Sequence, residues 1–256
     1  MGKDSKIEWT DHTFNAWWGC TKVSDGCKHC YAEAMANRWG DWFGPGKERR
    51  TFGDKHWAEP LKWNKSAAKA GKRQRVFCSS MADVFEDGAP DDERLKLWDL
   101  IAETPNLEWL LLTKRPENWP LMLPETAPNK FTNIRLGVTI EHMAAMNARG
   151  PIVDWAGAMG WPTFVSYEPA LGAIDWGLLL SPGNVHWVVA GGESGPSARQ
   201  PNPDWLRLCR DACARLGVPF LFKQWGGRDK KAAGRLLDGR EHLEFPALTS
   251  PTKGAA

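Results

Sequence analysis

Six short apolar segments recur along the chain, at Val76–Ser80, Trp109–Thr113, Ile134–Thr139, Thr163–Tyr167, His186–Ala190 and Phe220–Gln224, with helical patterns in most of the gaps. Helices are expected over Tyr31–Trp39, Asp92–Glu103, Met143–Ala148 and Pro203–Leu216. The last has Pro203 near its start, Leu206, Cys209, Ala212 and Cys213 at helical spacing, and Gly217 as its stop. Strands alternating with helices predict an α/β fold built on a parallel sheet. The choices are then a partial or complete (β/α) barrel or an open doubly wound sheet. No Gly-x-Gly-x-x-Gly opens a helix, which argues against the dinucleotide-binding version of the open sheet. A TIM-like barrel, with parallel strands inside and helices outside, is the expected architecture. At 256 residues the chain suits a single barrel domain over 1–246, with a loose C-terminal tail at 247–256.

In a barrel the chemistry gathers where strands end. The strand candidates run into Ser79, Ser80 and Asp83; into Lys114 and Arg115; into Glu141; into Glu168; into Gly191, Gly192 and Glu193; and into Lys223, Gln224 and Trp225. A polar run at every strand end describes a lined cavity. Glu141, Glu168, Glu193 and Lys223 are the candidate catalytic groups. If Glu141 and Glu168 face one cavity, their repulsion raises one pKa and supplies a proton donor. Two adjacent glycines let a ligand approach the backbone at 191–192.

The net charge of +2 selects no partner, and basic stretches such as Lys69–Arg75 and Arg228–Arg235 read as solvated faces. The polar start, MGKDSKIEWTDH, and the lack of a long apolar run point to a cytoplasmic protein without membrane contact. Thiols stay reduced there, so the six cysteines read as metal ligands or core residues. Cys78, Cys209 and Cys213 lie in apolar or helical patterns and are expected in the core. The sixteen tryptophans are expected to pack the core and its rims.

The remaining cysteines are clustered. Cys20, Cys27 and Cys30 fall within one short stretch that ends in a helix, with Gly19 and Gly26 allowing close folding of the backbone. A [4Fe–4S] cluster takes four ligands, so three thiolates leave one iron open to an exogenous chelator. The competing reading is a zinc site, since Cys-x-x-Cys is a common zinc half-site, but neither a second such pair nor a His pair accompanies it. Three unligated thiols are the remaining alternative.

The run NAWWGCTKVSDGCKHCYAEAMANR, together with LLLTKRPENW, LGVTIEH, VSYEPALGAIDW, VAGGESGPSARQP and FLFKQWGG, resembles a phage and bacterial family of radical-SAM-like proteins with a three-cysteine motif. The match runs from about Ile7 to Pro246. The Gly-Cys…Gly-Cys-x-x-Cys-Tyr-Ala passage is more distantly similar to the cluster loop of spore photoproduct lyase-like enzymes. The wider superfamily spaces its cysteines Cys-x3-Cys-x2-Cys, whereas six residues separate Cys20 from Cys27, and His29 replaces the usual aromatic residue. The resemblance implies a [4Fe–4S] cluster on Cys20, Cys27 and Cys30, S-adenosylmethionine (SAM) as second cofactor, and an electron donor of flavodoxin or ferredoxin type. It also implies that Ser79, Ser80 and Asp83 accept from the SAM ammonium, and that Lys114 and Arg115 meet its carboxylate or a substrate phosphate. The expected function is reductive SAM cleavage followed by hydrogen abstraction from a substrate, with nucleic acid or a nucleotide as the candidate class. A zinc-stabilised nucleic-acid-binding or accessory protein without redox chemistry is the alternative. A third reading is SAM-dependent methyl or aminocarboxypropyl transfer at an iron–sulfur site.

Overall fold

Seven parallel strands form one sheet whose spatial order is their order in sequence: β1 (His12–Thr13), β2 (Gln74–Cys78), β3 (Leu107–Thr113), β4 (Ile134–Thr139), β5 (Thr163–Tyr167), β6 (Val188–Gly191) and β7 (Phe220–Gln224). A doubly wound sheet reverses its winding at a switch point. This one never does, so the barrel-type winding holds. The sheet curls into a half-barrel with β1 and β7 as its edges. The computed structural model describes residues 5, 7–124 and 131–248. Apart from 247 and 248, the expected tail lies outside the described residues.

The helices are α1 (Tyr31–Ala36), α2 (Asp54–Trp57), α3 (Glu59–Ala70), α4 (Asp91–Glu103), α5 (Trp119–Met122), α6 (Met143–Ala158), α7 (Trp176–Leu180), α8 (Pro203–Leu216) and α9 (Lys230–Ala233). α8 has the expected bounds. α6 runs ten residues past the expected stop at Ala148, through Gly150 and Pro151. Ala145, Met146, Val153 and Ala156 are all buried along it, and that packing outweighs the two breakers.

Side chains alternate between two cores, as the period of a strand requires. Val76 and Cys78, Trp109 and Leu111, Leu136 and Val138, Val188 and Ala190, and Phe220 and Phe222 point outward. They meet Trp63, Leu97, Ile101, Val153, Leu206, Cys209 and Cys213 from the helices and helix-bearing loops. The intervening Phe77, Leu110, Phe164, Val189 and Leu221 point inward and pack with Trp9 and Trp187. Each such fully buried large side chain is worth about 1.5–3 kcal/mol. Gly137 is the inward position of β4, and a Cβ there would overlap the Phe164 ring, so the missing side chain is what lets Phe164 fill the interior. Cys78, Cys209 and Cys213 are fully buried, and ten of the sixteen tryptophans are buried.

The C-terminal segment closes the lower end. Leu243 bridges antiparallel to Leu221, and Phe222 N–H donates to the His242 carbonyl at 2.9 Å, so the edge of β7 is paired rather than open. The segment then crosses beneath the sheet: Trp187 Nε1 donates to the Glu244 carbonyl at 3.0 Å, and Arg75 stacks on Phe245 and donates to the Pro246 carbonyl at 3.0 Å. Just above it, Arg75 and Arg135 flank the buried Glu108 at 3.2 and 2.9 Å. No helix among the described residues is long and apolar enough to cross a membrane.

Candidate functional site

The cysteine loop lies over the upper end of the half-barrel, where the strands terminate. Its entry is fixed by reciprocal hydrogen bonds between Trp18 and Arg50, at 2.9 and 3.0 Å, and by Gly19 N–H donating to the Met81 carbonyl at 2.9 Å. Gly19 has φ 108° and lies against the Trp42 carbonyl, a position closed to any side chain. A single turn of 3-10 helix, Asp25–Cys27, brings the second thiol round, and Cys30 immediately precedes α1. The three thiols are half-buried, form no disulfide, and line one cavity of about 520 Å3.

Three sets of buried carboxylates and arginines hold this loop down. Near its start, Glu86 accepts from Thr21 N–H at 2.8 Å and from Arg49 Nε at 2.8 Å. Arg115, paired to Asp83 at 3.3 Å, donates to the Thr21 carbonyl at 2.6 Å. In the middle, Glu141 accepts from Ser24 Oγ at 2.6 Å and from Arg149 Nη1 at 2.7 Å, and it packs against Gly26 so closely that a Cβ would sit 2.4 Å from its oxygen. Near the end, Glu193 meets His29 Nδ1 at 3.0 Å and Arg199 Nε at 2.9 Å, while Arg199 Nη2 reaches the Asp25 carbonyl at 2.8 Å. Burial alone would raise the Glu193 pKa. The Arg199 side-chain and backbone donors and His29 outweigh it and hold the carboxyl at about 2.

The candidate residues therefore divide. Asp83, Arg115, Glu141 and Glu193 are engaged in holding the loop. Asp83 also accepts from Thr113 Oγ1 at 2.7 Å and from Lys114 N–H at 3.1 Å. Glu141 is fully buried and pairs with Arg149, whereas Glu168 lines the cavity and pairs with Lys223. Gly191 and Gly192 run close to the neighbouring chain: a Cβ on Gly192 would lie 1.9 Å from the Trp225 carbonyl, and one on Gly191 3.2 Å from that of Gln224. The close neighbours there are the last residue of β7 and the residue after it. Trp225 packs edge-on against Phe222 and donates to the Leu236 carbonyl at 2.9 Å.

Ser79, Ser80, Lys114, Glu168 and Lys223 line the cavity with the thiols, and so do Asp83, Arg115 and Glu193 beside their contacts to the loop. Lys223 Nζ donates to both Glu168 oxygens, at 2.7 and 3.0 Å, and Gln224 adds a third contact at 3.0 Å. Lys114 Nζ meets only a neutral partner among the described residues, Thr139 Oγ1 at 3.4 Å. Trp9, Phe77 and Leu112 make an apolar floor. Sequence reasoning missed Tyr31, whose hydroxyl donates to the Ser80 carbonyl at 2.8 Å, and the arginines Arg49, Arg149 and Arg199. Arg149 had a signal: it falls three residues after Met146 and four before Val153, on the apolar face of α6, where a cation needs a buried acid.

Cys20, Cys27 and Cys30 offer thiolate donors of the kind that hold an iron–sulfur cluster, and thiolates also bind zinc. Among the described residues no group of three or more His, Cys, Asp or Glu is placed to hold a single metal ion. Burial pushes the Cys20 thiol well up, with Asp83 and Glu86 adding to it, and burial also pushes up Cys30. A cationic metal centre is what draws protons from such thiols.

This half-barrel is the fold of solved spore photoproduct lyase structures. A complex with the dinucleoside spore photoproduct superposes with a TM-score of 0.53 at 10% identity, covering 84% of this chain and 64% of that one. A doubly substituted lyase with bound AdoMet and dinucleoside spore photoproduct gives 0.50, 10%, 84% and 66%. The chain thus spans about two thirds of the length of these structures, and at such identity the likeness is one of fold. No curated protein matches the chain. By its sequence the chain belongs to the family described as Protein of unknown function (DUF5131), whose model matches residues 4–246.

Proposed function

We propose that the chain is a radical SAM enzyme, with Cys20, Cys27 and Cys30 holding a [4Fe–4S] cluster. The observation that carries the reading is that three half-buried thiols and the polar ends of the strands line the same 520 Å3 cavity, a size suited to a cofactor-scale ligand. When bound, the cluster and SAM supply the radical chemistry: one electron passed to the sulfonium, and a hydrogen taken from the substrate. The protein's share is binding, orientation and exclusion of water. Ser79 and Ser80 offer oxygens to the SAM ammonium, and Lys114 faces its carboxylate. Glu168 and Lys223 present a polar wall to the substrate above the apolar floor. Asp83, Arg115, Glu141 and Glu193 act on the loop, keeping three ligands in register across a spacing longer than the superfamily's.

The substrate class that fits best is a nucleotide or nucleic acid. The dinucleoside bound by the lyase structures supports it, as do Lys114, Lys223 and Arg228 on the cavity wall. An oxygen-sensitive cluster suits the reducing cytoplasm and requires an external one-electron donor.

Anaerobic reconstitution with iron and sulfide tests the reading. The wild type should turn brown and hold about four iron and four sulfide per chain; with dithionite and SAM it should yield 5′-deoxyadenosine. Cys30→Ala should lose both colour and product. A colourless protein with about one zinc per chain, or product surviving Cys30→Ala, overturns it.

A further inference from the structure

Beside the cysteine loop but outside the cavity, one cation sits among three rings. The Arg50 guanidinium lies 4.7 Å from the ring centroid of Trp18, 5.0 Å from that of Trp42 and 5.3 Å from that of Phe52. All four side chains are partly exposed, and Arg50 forms no ion pair among the described residues. Trp18 stands edge-on to both other rings, at 5.8 Å from each. Trp18 and Trp42 pack against the same small core as Cys20 and Cys30, yet the lining of the cavity includes none of the four.

The chain runs from Phe52 directly into α2 and α3, and His56 of α2 stacks on Phe52 at 4.3 Å. This stretch is strongly basic. Between Lys47 and Lys72 it carries eight lysines and arginines against three acids, whereas the whole chain has a net charge of +2. In sequence, Lys69–Arg75 reads as a single solvated face; the fold splits it. Arg73 and Arg75 turn inward, to the Pro105 carbonyl at 2.8 Å and to Glu108 at 3.2 Å. Lys69 stays exposed and joins Lys62 and Lys65, at spacings of three and four, on the face of α3 opposite Trp63 and Ala67. Lys62 is paired with Glu59 at 2.6 Å, but Lys65 and Lys69 have no ion-pair partner among the described residues. Like charges one turn apart cost a helix stability, and a polyanion laid along the stripe removes that cost.

From these observations we infer that this surface binds single-stranded nucleic acid, with bases stacked on the Arg50 plane and its rings and phosphates on Lys65 and Lys69. Aromatic faces beside a planar cation recognise unstacked bases, and a row of cations tracks the backbone. An acidic protein would need the lysines but not the aromatic group, and a duplex hides its base faces. The inference rests on the nucleic-acid part of the proposed function and narrows it. A free nucleotide needs only the cavity, whereas a strand has flanking residues to be held while one nucleotide enters.

The test follows binding of a fluorescein-labelled oligodeoxythymidylate to the reconstituted full chain, by anisotropy over a salt series. Each phosphate contact on a single strand contributes about 0.7 to the slope of log K against log salt. Lys65→Ala/Lys69→Ala should therefore flatten the slope by about 1.4. Arg215→Ala, at an exposed position in the last turn of α8, should leave it unchanged. Arg50→Lys keeps the charge but loses the plane, and Phe52→Ala loses a ring; each should weaken binding at least about fivefold with little change of slope. Should Phe52→Ala fail to fold, Arg50→Lys decides. A wild-type slope in the double lysine variant, or undiminished affinity in Arg50→Lys, overturns the inference. So does polyglutamate displacing the oligonucleotide at equal charge, which would give the surface to an acidic protein. Anisotropy reads binding without turnover, so the two readings fail separately. A chain that takes up no iron and sulfide fails the enzyme reading, and slopes that ignore the lysines fail this surface alone.

Discussion

Beneath the cysteine loop, Glu86, Asp83 and Glu141 each meet an arginine, and the guanidinium goes on to bind a backbone carbonyl: Trp42 for Arg49, Thr21 for Arg115 and Thr139 for Arg149. After β5, Glu168 instead meets a lysine, and both partners line the cavity, as Asp83 and Arg115 also do. The residues are of the same charge types and all lie at or near strand ends, yet they do different things. A planar fork with five donors can join a carboxylate to a chain segment and hold both. An ammonium on a flexible stem can give up its partner when a ligand arrives. Position at a strand end therefore does not mark a catalytic acid; the identity of its cation, and where that cation points, is the better guide.

The largest expected break in this comparison comes from Glu86→Ala. It leaves Arg49 buried without its carboxylate and Thr21 N–H without its acceptor, at a cost of about 3–5 kcal/mol. Glu168→Ala should cost less, about 1–3 kcal/mol, because Lys223 is left facing the cavity. Urea denaturation of the two variants side by side measures the gap; near-equal losses would erase the distinction drawn above. Gly192→Ala ranks next. Its Cβ has no room beside the Trp225 carbonyl, and the strand ends must part, at about 1–3 kcal/mol. A neutral result would restore the 191–192 backbone as a surface with space for a ligand.

The Glu193 clamp gives a smaller effect with a defined pH window. Its folded pKa, about 2, lies below the ordinary value of about 4.3. The stabilisation is therefore fully present above the ordinary value and is lost as pH falls through the folded one. Wild type and Glu193→Gln should differ in urea midpoint near neutrality and converge towards pH 2; a constant gap across that range refutes the clamp. Smallest of all is Lys22→Ala, which breaks an exposed pair with Glu33 and should shift stability by about 0–1 kcal/mol. A larger thermal shift would mean that α1 depends on that pair.

Most of the sheet was legible because β2 to β7 are apolar runs bounded by polar strand ends. β1 was not: His12–Thr13 is two residues long, too short for a period to show, and it is a strand only because His12 pairs with Val76 and Thr13 with Phe77. α3 did announce itself, with Pro60 in its first turn and Gly71 at φ 63° after its last residue. Its lysines drew attention to charge instead of to Trp63 and Ala67 on the buried face. The cysteine spacing located the loop but not its supports. Glu86 and Thr21 are far apart in sequence, as are Glu141 and Ser24, and no local pattern pairs them. Arg199 lies in a stretch read for its glycines.

The C-terminal segment under the sheet has a bearing on traffic. With β7 capped along its edge and Arg75 tied to Pro246 below, the interior has a floor, and the apolar layer of Trp9, Phe77, Phe164 and Trp187 seals it further. A ligand of the cavity beneath the cysteine loop therefore does not come through the floor. Were two ligands to share the strand-end side, the deeper would have to be seated first and released last.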